Sequence, residues 1–119
     1  MKKTLVLGAS LKTDRYSNYA IHSLVDSNYE VVGVGLREGM VNRVAILTGK
    51  PQIDDIDTVT LYLNATRQKE YYDYILSLQP KRVIFNPGTN NSDFENILKK
   101  NNIAFENSCT LVLLSTGQY

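Results

Sequence analysis

The residues best suited to chemistry lie in one early stretch, Gly8-Ala9-Ser10-Leu11-Lys12-Thr13-Asp14-Arg15-Tyr16-Ser17-Asn18, directly after the apolar run Leu5-Val6-Leu7. Gly8 permits a tight turn, and small Ala9 and Ser10 let an anion approach the backbone. A helix starting near Ser17 would aim its free N–H groups and the positive end of its dipole at the same point. Lys12 and Arg15 add positive charge, and Ser17 or Asn18 a hydrogen bond. That pattern suits a phosphate; a helix cap with solvated charges would use the same residues. The stretch contains neither GxGxxG nor GxxxxGK[ST], so neither usual phosphate fingerprint applies.

Three later segments carry the remaining polar candidates. Val34-Gly35-Leu36-Arg37 ends an apolar run where an NAD site places an Asp or Glu for the ribose hydroxyls. Arg37 there suits an extra ribose phosphate, or is an exposed loop arginine compensated by Glu38. Asn64-Ala65-Thr66 is small enough to border an adenine, with Thr66 as a cap for the next helix. Asn86-Pro87-Gly88-Thr89-Asn90-Asn91 opens with a type II turn signal, Pro supplying a fixed φ and Gly a positive one. That turn would present Asn86, Thr89 and Asn90 to a pocket mouth.

Catalytic candidates are few. The one histidine, His22, lies within a helical segment beside Ala20 and Ile21, which favours a surface or packing role. No Ser/His/Asp set and no metal-ligand spacing stands out. The lone Cys109 excludes an internal disulfide; it is either a reactive thiol facing the ligand end or, as its apolar sequel Thr110 to Leu114 favours, a buried and inert one. Tyrosines such as Tyr71, Tyr72 and Tyr74 suit a partner surface or the packing of a helix on a sheet.

The elements that must position these residues follow from hydrophobic period. Leu5–Gly8, Tyr29–Val34, Thr58–Leu63, Arg82–Phe85 and Ile103–Glu106 read as five strands. Helical spacing covers Ser17–Ser27, with Ala20, Ile21, Leu24 and Val25 on one face, and Arg67–Leu78, with Tyr71, Ile75 and Leu78. A third helix enters through a capping box, Ser92-Asp93-Phe94-Glu95, and ends at Asn101-Asn102, which tolerate a left-handed turn. The segment 38–57 is irregular, with a short strand around Arg43–Ile46. This alternation predicts a single α/β domain over residues 1–119: a Rossmann-like parallel sheet of about five strands, helices on both faces, in the order 3-2-1-4-5.

Composition narrows the partners. With 13 basic and 12 acidic residues in 119, the charge balance gives no reason to expect a general surface for nucleic acid or membrane, while leaving room for a local basic cluster. No run approaches the ~20 apolar residues of a membrane span, and no signal peptide is evident, so a cytoplasmic location is expected. A homo-oligomer or a protein partner stays open.

Taken together, the Gly-Ala-Ser loop with Arg15-Tyr16-Ser17-Asn18, the strand Tyr29-Glu30-Val31-Val32-Gly33-Val34, Asn86-Pro87-Gly88-Thr89-Asn90 and Glu106-Asn107-Ser108-Cys109 resemble the small stand-alone CoA-binding proteins. These are related to the N-terminal domain of the succinyl-CoA synthetase α subunit. The resemblance implies coenzyme A as ligand, with Gly8, Ala9, Ser10, Arg15 and Ser17 around the phosphates. Val34, Leu36 and Arg37 would border the adenosine, with Asn64 and Ala65 opposite, and Asn86 and Gly88 would complete the site. Gly35-Leu36 departs from the Asn-Pro that relatives often carry there, so the nucleoside pocket can differ in shape. The reading is a CoA-binding module without an evident catalytic site. An NAD(P)-binding redox sensor or small enzyme, with NADP favoured by Arg37, is one alternative. A regulatory subunit with a degenerate pocket, filled for example by Leu36 or Tyr16, is the other.

Overall fold

The computed structural model describes residues 2–119. Seven strands form one sheet: β1 (Lys3–Ala9), β2 (Glu30–Gly35), β3 (Gly39–Val41), β4 (Val44–Leu47), β5 (Thr58–Leu61), β6 (Arg82–Phe85) and β7 (Ala104–Asn107). Helices α1 (Tyr16–Asp26), α2 (Ala65–Gln68), α3 (Tyr72–Leu78), α4 (Ser92–Lys100) and α5 (Thr110–Ser115) connect or follow them, with a 3-10 turn, Lys69–Tyr71, between α2 and α3. The predicted Arg67–Leu78 helix is therefore broken by that turn.

The strand order is β3-β4-β2-β1-β5-β6-β7, parallel throughout except for the β3–β4 pair. This corrects the expected order. In the five-strand count, the third strand (now β5) lies beside β1, not outside β2. The place outside β2 is taken by β4, the second arm of a hairpin within the segment read as mostly irregular. Its two-residue turn puts Asn42 and Arg43 at φ 47° and 66°, the left-handed pair a tight hairpin requires. Arginine is an unusual residue for that conformation, which is why the turn carries no Asn-Gly-type signal. Counting β4 as third restores the doubly wound order, with its reversal between the strands flanking β1.

Alternation along the strands distributes the core to two faces. Leu5 and Leu7 of β1, Val59 and Leu61 of β5, and Val83 and Phe85 of β6 pack against Ile75 and Leu78 of α3 and Phe94 and Leu98 of α4. Val6 and Ile84 point the other way, toward Ile21 and Leu24 of α1, Leu113 and Leu114 of α5, and Tyr119. Burying such large apolar side chains stabilises the fold by roughly 1.5–3 kcal/mol each before entropy is counted. Tyr72 stacks on Phe94 at 4.4 Å and buried Tyr74 donates to the Pro51 carbonyl, so these tyrosines pack the fold.

Two helix entries differ from the sequence reading. The α4 cap is Asn91, whose Oδ1 accepts from the Phe94 N–H, while Ser92 is the first helical residue. Glu95 then accepts from Asn107 Nδ2 and does not reach back to the cap. At α2 the cap is Asn64, accepting from the Arg67 N–H, and not Thr66. In both cases an Asn one or two residues earlier offers its side-chain oxygen first.

Candidate functional site

Local geometry at the end of β1 shapes the site. Gly8 has φ +94°, and a Cβ there would lie 2.9 Å from the Tyr62 carbonyl carbon. Gly35 faces the Ala9 carbonyl oxygen, which a Cβ would overlap, just where the β1–β2 register shifts. The two glycines let the β1 end, β2 and the start of the β5–α2 loop approach closely.

The β1–α1 loop is then held by side chains from the helix it enters. The Ser10 N–H donates to Ser17 Oγ (3.2 Å), Asn18 Nδ2 donates to the Ser10 carbonyl (3.0 Å), and the Lys12 N–H donates to Ser10 Oγ (3.1 Å). Ser17 and Asn18 are buried. Ser17 thus works as a loop brace. No side chain caps α1, whose N-cap position is Arg15; the Asn18 N–H donates to the Arg15 carbonyl (3.0 Å), which leaves the Tyr16 and Ser17 N–H groups, with the helix dipole, available at the cleft that both residues line.

That cleft has a volume of about 620 Å³, within the usual range of about 300–1,000 Å³ for small-molecule sites. Gly8, Ala9, Ser10, Arg15 and Ser17 line it from the first loop, and Val34, Leu36 and Arg37 from the second. Asn64 and Gly88 border it on the far side. Gly88 has φ +88° and the Thr89 N–H donates to the Asn86 carbonyl, as the predicted turn requires.

Three expected residues, Ala65, Asn86 and Asn90, are elsewhere. Ala65 is a half-buried first residue of α2 outside the lining. Asn86 is buried at 2% exposure and turned inward. Its Nδ2 donates to Thr60 Oγ1 and the Leu61 carbonyl, and its Oδ1 accepts from the Thr110 N–H at the start of α5. An asparagine so fully bonded is a joint between strands. Asn90 donates to Asn107 and does not line the cleft. Cys109, at the N-cap position of α5, is half-buried and also outside the lining, so it is neither fully in the core nor at the cleft.

The structure also adds residues. Arg67 and Tyr71, one helical turn apart, line the wall opposite Arg37. An arginine three residues after a strand-end Asn was the available signal. Lys50 Nζ lies 5.7 Å from the Tyr71 ring centre. Burial raises the Tyr71 hydroxyl above its ordinary value, the Glu70 charge adds to this, and Arg67 opposes it. Tyr62 also lines the cleft, and burial pushes its hydroxyl well upward against the hydrogen bond from Thr110.

The charge pattern of the cleft is one-sided. Lys12, Arg15, Arg37 and Arg67 line it, and among the described residues no Asp or Glu does. The two ion pairs among the described residues, Lys3–Glu30 and Arg82–Glu106, lie elsewhere. No group of three His, Cys, Asp or Glu able to hold a metal occurs among the described residues.

A doubly wound sheet with its cleft at the carboxyl ends of β1, β2, β5 and β6 defines a Rossmann-like α/β protein. Within that class the chain belongs to the CoA binding domain family, whose model matches residues 2–115. A crystal structure of an uncharacterized protein is 49% identical, with a TM-score of 0.96, covering 100% of this chain and 98% of that one. A hypothetical protein from Pyrococcus horikoshii OT3 is 22% identical, with a TM-score of 0.88 over 97% of this chain and 82% of its own. The cell-free ID.343 protein from Thermus thermophilus is 18% identical, with a TM-score of 0.85 over 99% and 90%. These last two share the fold. No curated protein matches the sequence.

Proposed function

We propose that the chain binds coenzyme A in this cleft. The observation that carries the reading is the set of four cationic side chains without a lining carboxylate, which fits a ligand bearing a diphosphate and a ribose phosphate. The donor set suits those groups: backbone N–H groups at an uncapped helix start, plus Lys12 and Arg15 beside Ser10. Val34 and Leu36 offer apolar surface for the adenosine, with Asn64 opposite, and Arg37 serves the ribose phosphate. When bound, CoA supplies a thiol able to carry acyl groups; this chain's residues bind and orient its phosphates.

An open cleft favours this reading over a degenerate regulatory subunit. Tyr16 and Leu36, the residues able to fill it, are 72% and 73% exposed. Calorimetric titration with CoA, dephospho-CoA, NAD and NADP tests the proposal. CoA is expected to bind tightest and dephospho-CoA more weakly. Tighter NADP binding would shift the assignment to the redox alternative, and no heat with any of the four would reject the cleft as a nucleotide site.

A further inference from the structure

Two walls of the cleft are joined behind its surface by one buried side chain. Gln68, the last residue of α2, is 0% exposed. Its Nε2 donates to the Leu63 carbonyl and to the Thr89 carbonyl, both at 2.8 Å. Leu63 and Thr89 line the cleft, one from the β5–α2 loop and the other from the β6–α4 loop. Gln68 Oε1 accepts from Asn91 Nδ2 at 2.9 Å, and the same Nδ2 donates to the Tyr72 hydroxyl at 2.8 Å. Asn91 Oδ1 meanwhile caps α4.

The chemistry of this node is restrictive. Two carbonyl oxygens converge on one atom, so that atom must carry two protons, and an amide nitrogen does. A carboxylate of the same shape would face both carbonyls with lone pairs. An apolar side chain would leave two buried acceptors without partners, each costing about 1–3 kcal/mol.

We infer that Gln68 is a positioning residue, holding the β5–α2 and β6–α4 walls at the separation ligand binding requires. It touches no ligand. It places Arg67, its immediate neighbour, and the Pro87-Gly88-Thr89 turn relative to each other. The inference rests on the CoA reading for the identity of the ligand, but the coupling of the walls is a property of the protein alone.

The test compares wild type with Gln68→Glu and with Asn91→Asp, which keeps a cap oxygen for α4 but loses both Nδ2 donor bonds. CoA affinity is measured by calorimetry well below each melting transition, and amide hydrogen exchange is measured without ligand. Expected is a CoA affinity about tenfold or more weaker in Gln68→Glu, with a smaller loss in Asn91→Asp. Exchange should quicken at residues 62–67 and 87–91 while the β1–α1 loop keeps its wild-type protection. A merely structural role would lower the melting temperature without this local pattern. Equal affinity in wild type and Gln68→Glu overturns the inference. Should wild type itself not bind CoA, the ligand assignment fails separately, and unchanged exchange at the two walls in both variants would still overturn the coupling. If Gln68→Glu does not fold, Asn91→Asp decides by the same two readings.

Discussion

Arg37 and Arg67 approach the cleft from opposite walls, and neither has an acidic partner among the described residues. An arginine fork without a counter-ion is free to bind phosphate. Arg37→Ala should weaken CoA binding about tenfold or more, since a hydrogen bond to a charged group contributes about 1.5–3 kcal/mol. Dephospho-CoA should bind the variant and wild type alike, and calorimetry with both ligands checks this. Buried tyrosines give a second prediction at this scale. Burial raises the Tyr62, Tyr71, Tyr74 and Tyr119 hydroxyls above their ordinary value of about 10. The unfolded chain therefore loses these protons first as pH rises, and binds fewer than the folded one. Stability should be full below pH 10 and decline as pH climbs above it, which melting curves between neutral and strongly alkaline pH would reveal.

Among the elements, the start of α4 separates two readings of the same segment. Ser92-Asp93-Phe94-Glu95 has the spacing of a capping box, yet Asn91 supplies the cap and Glu95 turns to Asn107. Asn91→Ala should destabilise the protein by about 2–4 kcal/mol, from the lost cap together with the lost bonds to buried Gln68 and to Tyr72. Ser92→Ala, at the exposed first helical position, should change stability by less than about 0.5 kcal/mol. Denaturant titration of the two variants distinguishes them; the reverse ranking would return the cap to Ser92. The β3–β4 hairpin makes a related point. The short strand expected around Arg43–Ile46 forms as Val44–Leu47, but its place beside β2 is not legible along the chain, because pairing depends on the whole sheet.

For the whole molecule, charge is distributed unevenly. The chain has a formal net charge of +1, yet the cleft is lined by Lys12, Arg15, Arg37 and Arg67 without an acid. The rest of the surface must therefore be slightly acidic, and the cleft stands out as the basic feature. An anionic ligand bound there is screened by salt, the Debye length falling from about 10 Å at 0.1 M to about 3 Å at 1 M. CoA affinity should fall by about tenfold or more from 0.05 to 0.5 M salt, whereas folding stability should change little. A flat salt profile in calorimetry would remove the role of the four cations.

What the sequence determined by itself is local: the strand–helix alternation, the tight Gly8 loop and the Pro87-Gly88 turn. Apolar period and turn chemistry act between neighbours a few residues apart, so they can be read along the chain. Only the tertiary structure decided which residues meet. It placed Arg67 opposite Arg37, turned Asn86 away from the cleft into a joint with Thr60, and buried Gln68 between two walls. Those outcomes depend on strand order and on which buried acceptors need partners. Both are settled when the sheet closes over its core, where every carbonyl removed from water must find a donor.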